Sequence, residues 1–340
     1  MANSPSAYVV VQNLRIDIHT SSGLLHAVSN VSFQLTAGEV LCIVGESGSG
    51  KSMTALGLMG LLPAAASRSA ELLSVDGRDL LTMSPEEKSD FLGNRMAMIF
   101  QEPMTSLNPC FTIGTQMEET IRRHRNVSAR DAKLHAASWL EKVGIPSSAG
   151  RLEQYPHQLS GGLRQRVMIA MMLMCEPKLL IADEPTTALD VTVQAQILQL
   201  LSALQKELGL TMIFITHDLG VVSRIADRVA VMYAGEFVEY GTTRQVLKNP
   251  QHPYTQGLLK CLPVPGRTRR GAHLGTIPGS GPSLIGNLSG CCFANRCEYA
   301  APVCLEGKLP LFVREDEHGV RCRFRPEELA PLQTVDAVPQ

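Results

Sequence analysis

The sequence predicts an α/β protein: a mostly parallel core sheet, a helical block inserted into it, and a cysteine-rich C-terminal extension. Three observations carry that prediction. Short apolar runs bounded by turn residues alternate with helical patterns, which is the arrangement of parallel strands covered on both faces. Between about residues 113 and 175 the apolar spacing becomes helical. Five of the nine cysteines fall after residue 290.

The elements follow in order. Val40–Val44 is an apolar run ending at a glycine loop and reads as a buried parallel strand. Asp76-Gly77, after Leu-Leu-Ser-Val, reads as a hairpin turn. Residues 96–100 form another short strand. In the helical block Trp139, Leu140 and Val143 recur at helical spacing, and residues 167–175 are apolar nearly all round, so that helix belongs in the core. Strand character returns at 179–182, 211–216 and 229–233. Ile197, Leu200, Leu201 and Leu204 mark an amphipathic helix among them. Residues 263–290 are rich in proline and glycine and read as a loop or linker. The expected domains are therefore 1–262, with a helical subdomain at about 102–177, and 263–340.

Bulk properties narrow the function. A net charge of −1 across 340 residues argues against a general nucleic-acid or membrane-surface binder. No apolar stretch approaches the ~20 residues that a spanning helix needs. The start, Met-Ala-Asn-Ser-Pro, has neither the basic region nor the apolar core of a signal peptide. The expectation is a cytosolic chain that meets a membrane only through a partner. In a reducing compartment disulfides are not expected, so the clustered tail cysteines suggest a metal or cluster cofactor.

Several motifs carry chemistry. Gly45-Glu46-Ser47-Gly48-Ser49-Gly50-Lys51-Ser52, followed by Met53, fits a P-loop between a strand and a helix. Its glycines let backbone N–H groups wrap phosphate oxygens, and the helix presents its positive end. Lys51 is expected at the β- and γ-phosphates and Ser52 on Mg²⁺. Asp183 and Glu184 end an apolar strand. Asp183 is expected to hold Mg²⁺ and Glu184 to polarise the attacking water. Gln101 offers an amide to Mg²⁺ and that water, and His217 offers a hydrogen bond to the γ-phosphate. Alone, Gln101 would be an ordinary surface residue and His217 a structural one; the set decides. Ser160, Gly161 and Gly162 open a long helix and leave an anion site at its N-terminus. One chain cannot bring its P-loop and this helix to the same phosphate if they lie on different subdomains, whereas a facing subunit can.

This ordered set resembles the ATP-binding-cassette (ABC) ATPases over about residues 8–262. The resemblance implies a P-loop NTPase fold with an antiparallel β subdomain, ATP and Mg²⁺ as cofactors, and a head-to-tail nucleotide sandwich dimer. Gln165 and Asp190 join the residues expected to face nucleotide. Gln101-Glu-Pro-Met-Thr-Ser-Leu-Asn-Pro109, Tyr155-Pro-His-Gln-Leu-Ser-Gly-Gly162 and Asn249-Pro-Gln-His-Pro-Tyr-Thr255 are similar to the dipeptide, oligopeptide and nickel importers, and the tail looks like that of their D-type ATPase subunits. Such a chain would energise uptake of dipeptides or oligopeptides. Its implied partners are a paralogous F-type ABC ATPase as heterodimer mate, two transmembrane permease subunits and an extracytoplasmic substrate-binding protein, with no nucleic acid. Its implied place is peripheral, on the cytoplasmic face of the inner membrane.

Nickel, glutathione or a haem-like ligand remain open as cargo. Non-transport ABC ATPases of DNA repair or translation usually carry a coiled-coil insertion or paired cassettes, and neither is found here. A sensor without turnover would tend to lack Glu184. The family often stacks adenine on an aromatic ahead of the first core strand. Residues 18–26 contain none, leaving His19 or His26 as candidates. In the tail, Cys291, Cys297, Cys304 and Cys322 leave gaps of five, six and seventeen residues, unlike the tight pairs of zinc ribbons. The resemblance implies a [4Fe–4S] cluster; zinc or unligated thiols stay open, and Cys292 is a substitute for Cys291. Cys42, Cys110, Cys175 and Cys261 read as packing residues.

Overall fold

A computed structural model of the chain describes residues 7–101, 106–187, 189–262, 275–286 and 289–324. The first part of the predicted linker, at 263–274, and the start of the predicted helical subdomain, at 102–105, lie outside the described residues. The strands are β1 (Val9–Thr20), β2 (Gly23–Leu35), β3 (Val40–Val44), β4 (Ala66–Ser69), β5 (Leu72–Val75), β6 (Arg78–Asp79), β7 (Met96–Ile99), β8 (Leu179–Asp183), β9 (Thr211–Thr216), β10 (Arg228–Tyr233), β11 (Glu236–Thr242), β12 (Phe312–Val313) and β13 (Gly319–Val320). The helices are α1 (Lys51–Met59), α2 (Pro85–Phe91), α3 (Ile113–His124), α4 (Ala129–Lys142), α5 (Ser148–Leu152), α6 (Gly161–Leu173), α7 (Val191–Leu208), α8 (Leu219–Ile225), α9 (Thr243–Lys248) and α10 (Pro253–Lys260). They fall into two compact units. Of the described residues, one contains Thr36–Glu39 and those within Thr82–Phe214; the other contains Ala7–Leu35, Val40–Leu81 and those from Ile215 onward.

The second unit holds the glycine loop and the tail. β1 and β2 form a long antiparallel hairpin, and β1 also pairs antiparallel with β4 and β5. Sequence reading missed the strands of this hairpin because alternation breaks inside both. Val9 and Val11 are buried, then Leu14 and Ile16. The inward parity changes at Asn13, which takes φ 53° at a register shift. Asn30, at φ 52°, sits at the matching change between Val28 and Val31. A bulge re-aims every following side chain by one position. Asp76 and Gly77 do make the expected turn, both at positive φ, between antiparallel β5 and β6. β3 is buried throughout and pairs parallel with β10. β11 then pairs antiparallel with β10, β13 with β11, and β12 with β13. The tail thus joins the sheet rather than trailing from it.

One buried carboxylate anchors that junction. Glu239 is fully buried on β11 and accepts hydrogen bonds from the Gln251 and His252 amides at 2.8 and 2.9 Å and from His318 Nε2 at 2.8 Å. A buried charge persists only with such partners. The bonds draw the start of α10 and the tail onto the same strand.

In the first unit β7 and β8 run parallel, and α3 to α6 form the helical block. Trp139, Leu140 and Val143 are buried as expected, as are residues 167–170 and 173–175. Phe100 is exposed, so β7 stops one residue short of the predicted run. On α7 the buried stripe is Ile197, Leu198, Leu201 and Leu204, with Leu200 only half-buried. Both leucines suit a helical stripe, and packing chose between them.

His252 supplies a pH-dependent contribution to stability. Burial, helped by Arg321, pushes its imidazole down from 6.5 to about 3, and Nδ1 accepts from the Tyr254 amide at 3.1 Å. Below pH 6.5 the unfolded chain takes up a proton that the folded chain refuses until about pH 3. Stability therefore falls with acidification across that window, by about 1.4 kcal/mol per pH unit from this group. Urea unfolding between pH 6.5 and 4 should show this slope. His252→Asn, which keeps an acceptor for Tyr254, should flatten it. An unchanged slope would mean that His252 is protonated in the fold.

Candidate nucleotide site

The glycine loop is shaped by close backbone approach. A Cβ on Gly45 would lie 2.1 Å from the Met232 carbonyl oxygen, and one on Gly50, at φ 104°, would lie 2.5 Å from the Ala27 carbonyl oxygen. Only glycine fits at either position. Gly50 enters α1 without a side-chain cap. The first N–H groups of that helix therefore face the loop, with the positive end of its dipole behind them. Lys51 is buried and donates from Nζ to the carbonyls of Gly45 and Glu46, both at 2.9 Å. The Ser49 hydroxyl is buried without a hydrogen-bond partner. Ser47 and Gly48 are exposed; Ser52 and Met53 are half-buried. Glu46 stands apart, because its amide donates to Tyr254 Oη at 2.9 Å and its carboxylate pairs with Arg296. His217, in the same unit, is exposed immediately after β9.

The first unit gathers the acidic strand end. Asp183 is buried as the last residue of β8. Glu184 takes φ 44°, a left-handed conformation that costs a glutamate about 1–3 kcal/mol. Its Oε2 accepts from Gln101 Nε2 at 3.2 Å and from Thr187 Oγ1 at 2.9 Å. The strained backbone and these two donors fix one direction for the carboxylate. Gln101 and Glu184, 83 residues apart, thus meet; Thr187 is the neighbour that sequence reading did not name.

The same unit carries the glycine-headed helix. Ser160 caps α6, its hydroxyl accepting from the Leu163 amide. Asp190 caps α7 through the Val193 amide at 3.0 Å. A Cβ on Gly162 would lie 2.7 Å from Val193 Cγ1, so the glycine lets the two helix starts approach. Gln165 is fully buried, with neither end of its amide hydrogen bonded.

The adenine candidates also separate. His19 is exposed, whereas His26 Nδ1 lies 2.6 Å from Asp17 Oδ1 and is already engaged. In the tail, burial pushes up the Cys291, Cys297 and Cys322 thiols, Cys291 to about 11. Cys292 is instead turned toward the Tyr233 carbonyl. Among the described residues no group of three or more His, Cys, Asp or Glu side chains is arranged to hold a metal ion. The expected cluster site is therefore not preformed. Cys42 and Cys175 are buried, as packing residues are; Cys110 is exposed.

Comparison with known proteins decides the family. Residues 28–187 match the ABC transporter family and residues 238–304 the oligopeptide/dipeptide transporter C-terminal region. The chain is 48% identical to the dipeptide transport ATP-binding protein DppD of Bacillus subtilis, over 92% of this chain and 93% of that one. The chain belongs to the ATP-binding subunits of ABC transporters. It is also 49% identical to the oligopeptide transport ATP-binding protein OppD of Salmonella typhimurium, over 94% of this chain and 93% of the other. Among solved structures, a dimeric ATP-binding cassette in a post-hydrolysis state with ADP and Pi is 28% identical, with a TM-score of 0.61, covering 69% of this chain and 99% of that one. The cassette fold expected from the motifs is thus found. No helix among the described residues is long and apolar enough to cross a membrane.

Proposed function

We propose that this cassette hydrolyses ATP and so energises import of dipeptides or oligopeptides across the cytoplasmic membrane. The observation that carries the catalytic part is the Glu184 carboxylate, held by Gln101 and Thr187 at the end of the acidic strand. The peptide part is supported by relatives named for dipeptide, oligopeptide and peptide import along nearly the whole chain.

Each residue has a proposed role. Lys51 exchanges its two loop carbonyls for the β- and γ-phosphates, and the amides of the glycine loop take the remaining oxygens. Ser52, Asp183 and Gln101 are hard oxygen donors suited to Mg²⁺. When bound, Mg²⁺ supplies charge neutralisation on the phosphates. Glu184 orients the attacking water and draws its proton, and His217 donates to the γ-phosphate. Ser160, Gly161 and Gly162 offer the α6 N-terminus to nucleotide on a facing cassette, for which a paralogous F-type ATPase is the proposed mate. Two permease subunits would carry the stroke, and an extracytoplasmic binding protein would deliver cargo. The chain would then act as a peripheral subunit on the cytoplasmic face.

For the tail we propose that Cys291, Cys297, Cys304 and Cys322 hold a [4Fe–4S] cluster. Each of these thiols lies within electrostatic reach of the other three, and four thiolates suit such a cluster. Loading must draw them closer and release their protons. Cys292, committed to Tyr233, stays outside.

Two outcomes follow from these roles. Glu184→Gln should bind ATP normally, lose hydrolysis by about a hundredfold or more, and accumulate an ATP-bound dimer; turnover near wild type would remove Glu184 from the role. Protein purified without oxygen should be brown with about four irons per chain, and Cys304→Ser should bleach it. Colourless protein with one zinc would overturn the iron–sulfur assignment.

A further inference from the structure

Arg296 takes no part in the chemistry above, yet its guanidinium is fully committed. Nε donates to the Pro278 carbonyl at 2.9 Å. Nη1 donates to Glu46 Oε2 at 2.7 Å and Tyr233 Oη at 3.4 Å. Nη2 donates to Glu46 Oε1 and the Ile277 carbonyl, both at 3.0 Å. All five N–H groups of an arginine therefore have acceptors. The two bonds to Glu46 make the bidentate fork that fixes a carboxylate in both position and orientation. The guanidinium carbon lies 5.7 and 6.0 Å from the ring centroids of Tyr233 and Phe293, and the side chain is only 6% exposed.

The other end of this fork is the glycine loop. Glu46 is its second residue. The Glu46 amide donates to buried Tyr254 Oη, and its carbonyl accepts from Lys51 Nζ and from the Ser49 amide. A displacement of Glu46 therefore moves the lysine and an amide of the cradle together. Both outside grips on Glu46, Tyr254 and Arg296, come from beyond residue 250, in the same compact unit.

We propose that Arg296 is a positioning residue whose fork on Glu46 holds the glycine loop in its phosphate-receiving shape, making the C-terminal extension a determinant of ATP affinity. The inference rests on the reading that residues 45–52 bind ATP. Without the fork the loop keeps its Tyr254 bond and gains freedom to swivel, and ordering it again opposes nucleotide binding. Gln101 and Glu184 are untouched, so the loss falls on binding and not on the chemical step. Arg296 directly precedes Cys297, so a change that reshapes the thiol-bearing loop can reach the nucleotide loop through this side chain.

The test measures ATP affinity, steady-state hydrolysis and melting temperature for the full chain and four variants: Arg296→Met, Arg296→Lys, Glu46→Gln and the Glu46→Gln/Arg296→Met pair. Arg296→Met should weaken ATP binding and raise KM about tenfold, with kcat within about twofold. Arg296→Lys should recover only part, because one ammonium cannot form the fork. The double variant should be little worse than either single one, since both remove the same contact. A wild-type chain that fails to bind ATP overturns the nucleotide reading itself. Wild-type binding with unchanged ATP affinity in Arg296→Met, whatever its melting temperature, overturns the fork alone, as do single effects that simply add. If Arg296→Met fails to fold, Glu46→Gln decides by the same affinity criterion.

Discussion

A loop that binds phosphate with its main chain must be held from outside, because glycines provide the shape but no side chains to fix it. That constraint organises the second unit. β3 is buried along its whole length and delivers Gly45 against the Met232 carbonyl, while Gly50 meets the Ala27 carbonyl. Tyr254 and Arg296 hold Glu46 between them. Glu239 in turn fixes the start of α10, which carries Tyr254, and binds His318 of the tail. The C-terminal extension is part of the scaffold on which the nucleotide loop rests.

The first unit solves a different problem, the aim of a carboxylate. Glu184 accepts a left-handed backbone, and its orientation is then set by Gln101 and Thr187. Strain of this kind persists where surrounding contacts over-determine it. Nearby in sequence, Asp190 caps α7 and Ser160 caps α6, and Gly162 lets the two helix starts close on each other. A side chain at 162 would meet Val193, so that glycine answers to packing as well as to any phosphate.

The sequence made the local parts legible and left the long-range ones hidden. β3, β8, β9 and the Asp76-Gly77 turn each carry their signal within a few residues, as does the glycine loop. The β1–β2 hairpin was obscured because Asn13 and Asn30 invert its alternation midway. The choice of Leu198 over Leu200 depended on neighbours that a single helix cannot reveal. The complete burial of Gln165, one turn into α6, likewise depends on neighbours outside its own helix. The Glu46–Arg296 pair spans 250 residues, and neither residue has a local pattern announcing the other. The tail thiols were visible as a group, whereas the contrast between Cys291 and Cys292 depended on the Tyr233 carbonyl.

The central claim is that the phosphate cradle is built before nucleotide arrives. Amide hydrogen exchange at single-residue resolution across 45–54, in nucleotide-free protein, tests it most directly. The account predicts that the Glu46, Ser49 and Thr54 amides, bonded to Tyr254 Oη, the Glu46 carbonyl and the Gly50 carbonyl, exchange at least ~100-fold more slowly than in an unstructured chain. Exchange of all three at unstructured rates until ATP is added would contradict it, and would mean that the nucleotide builds the loop rather than finding it.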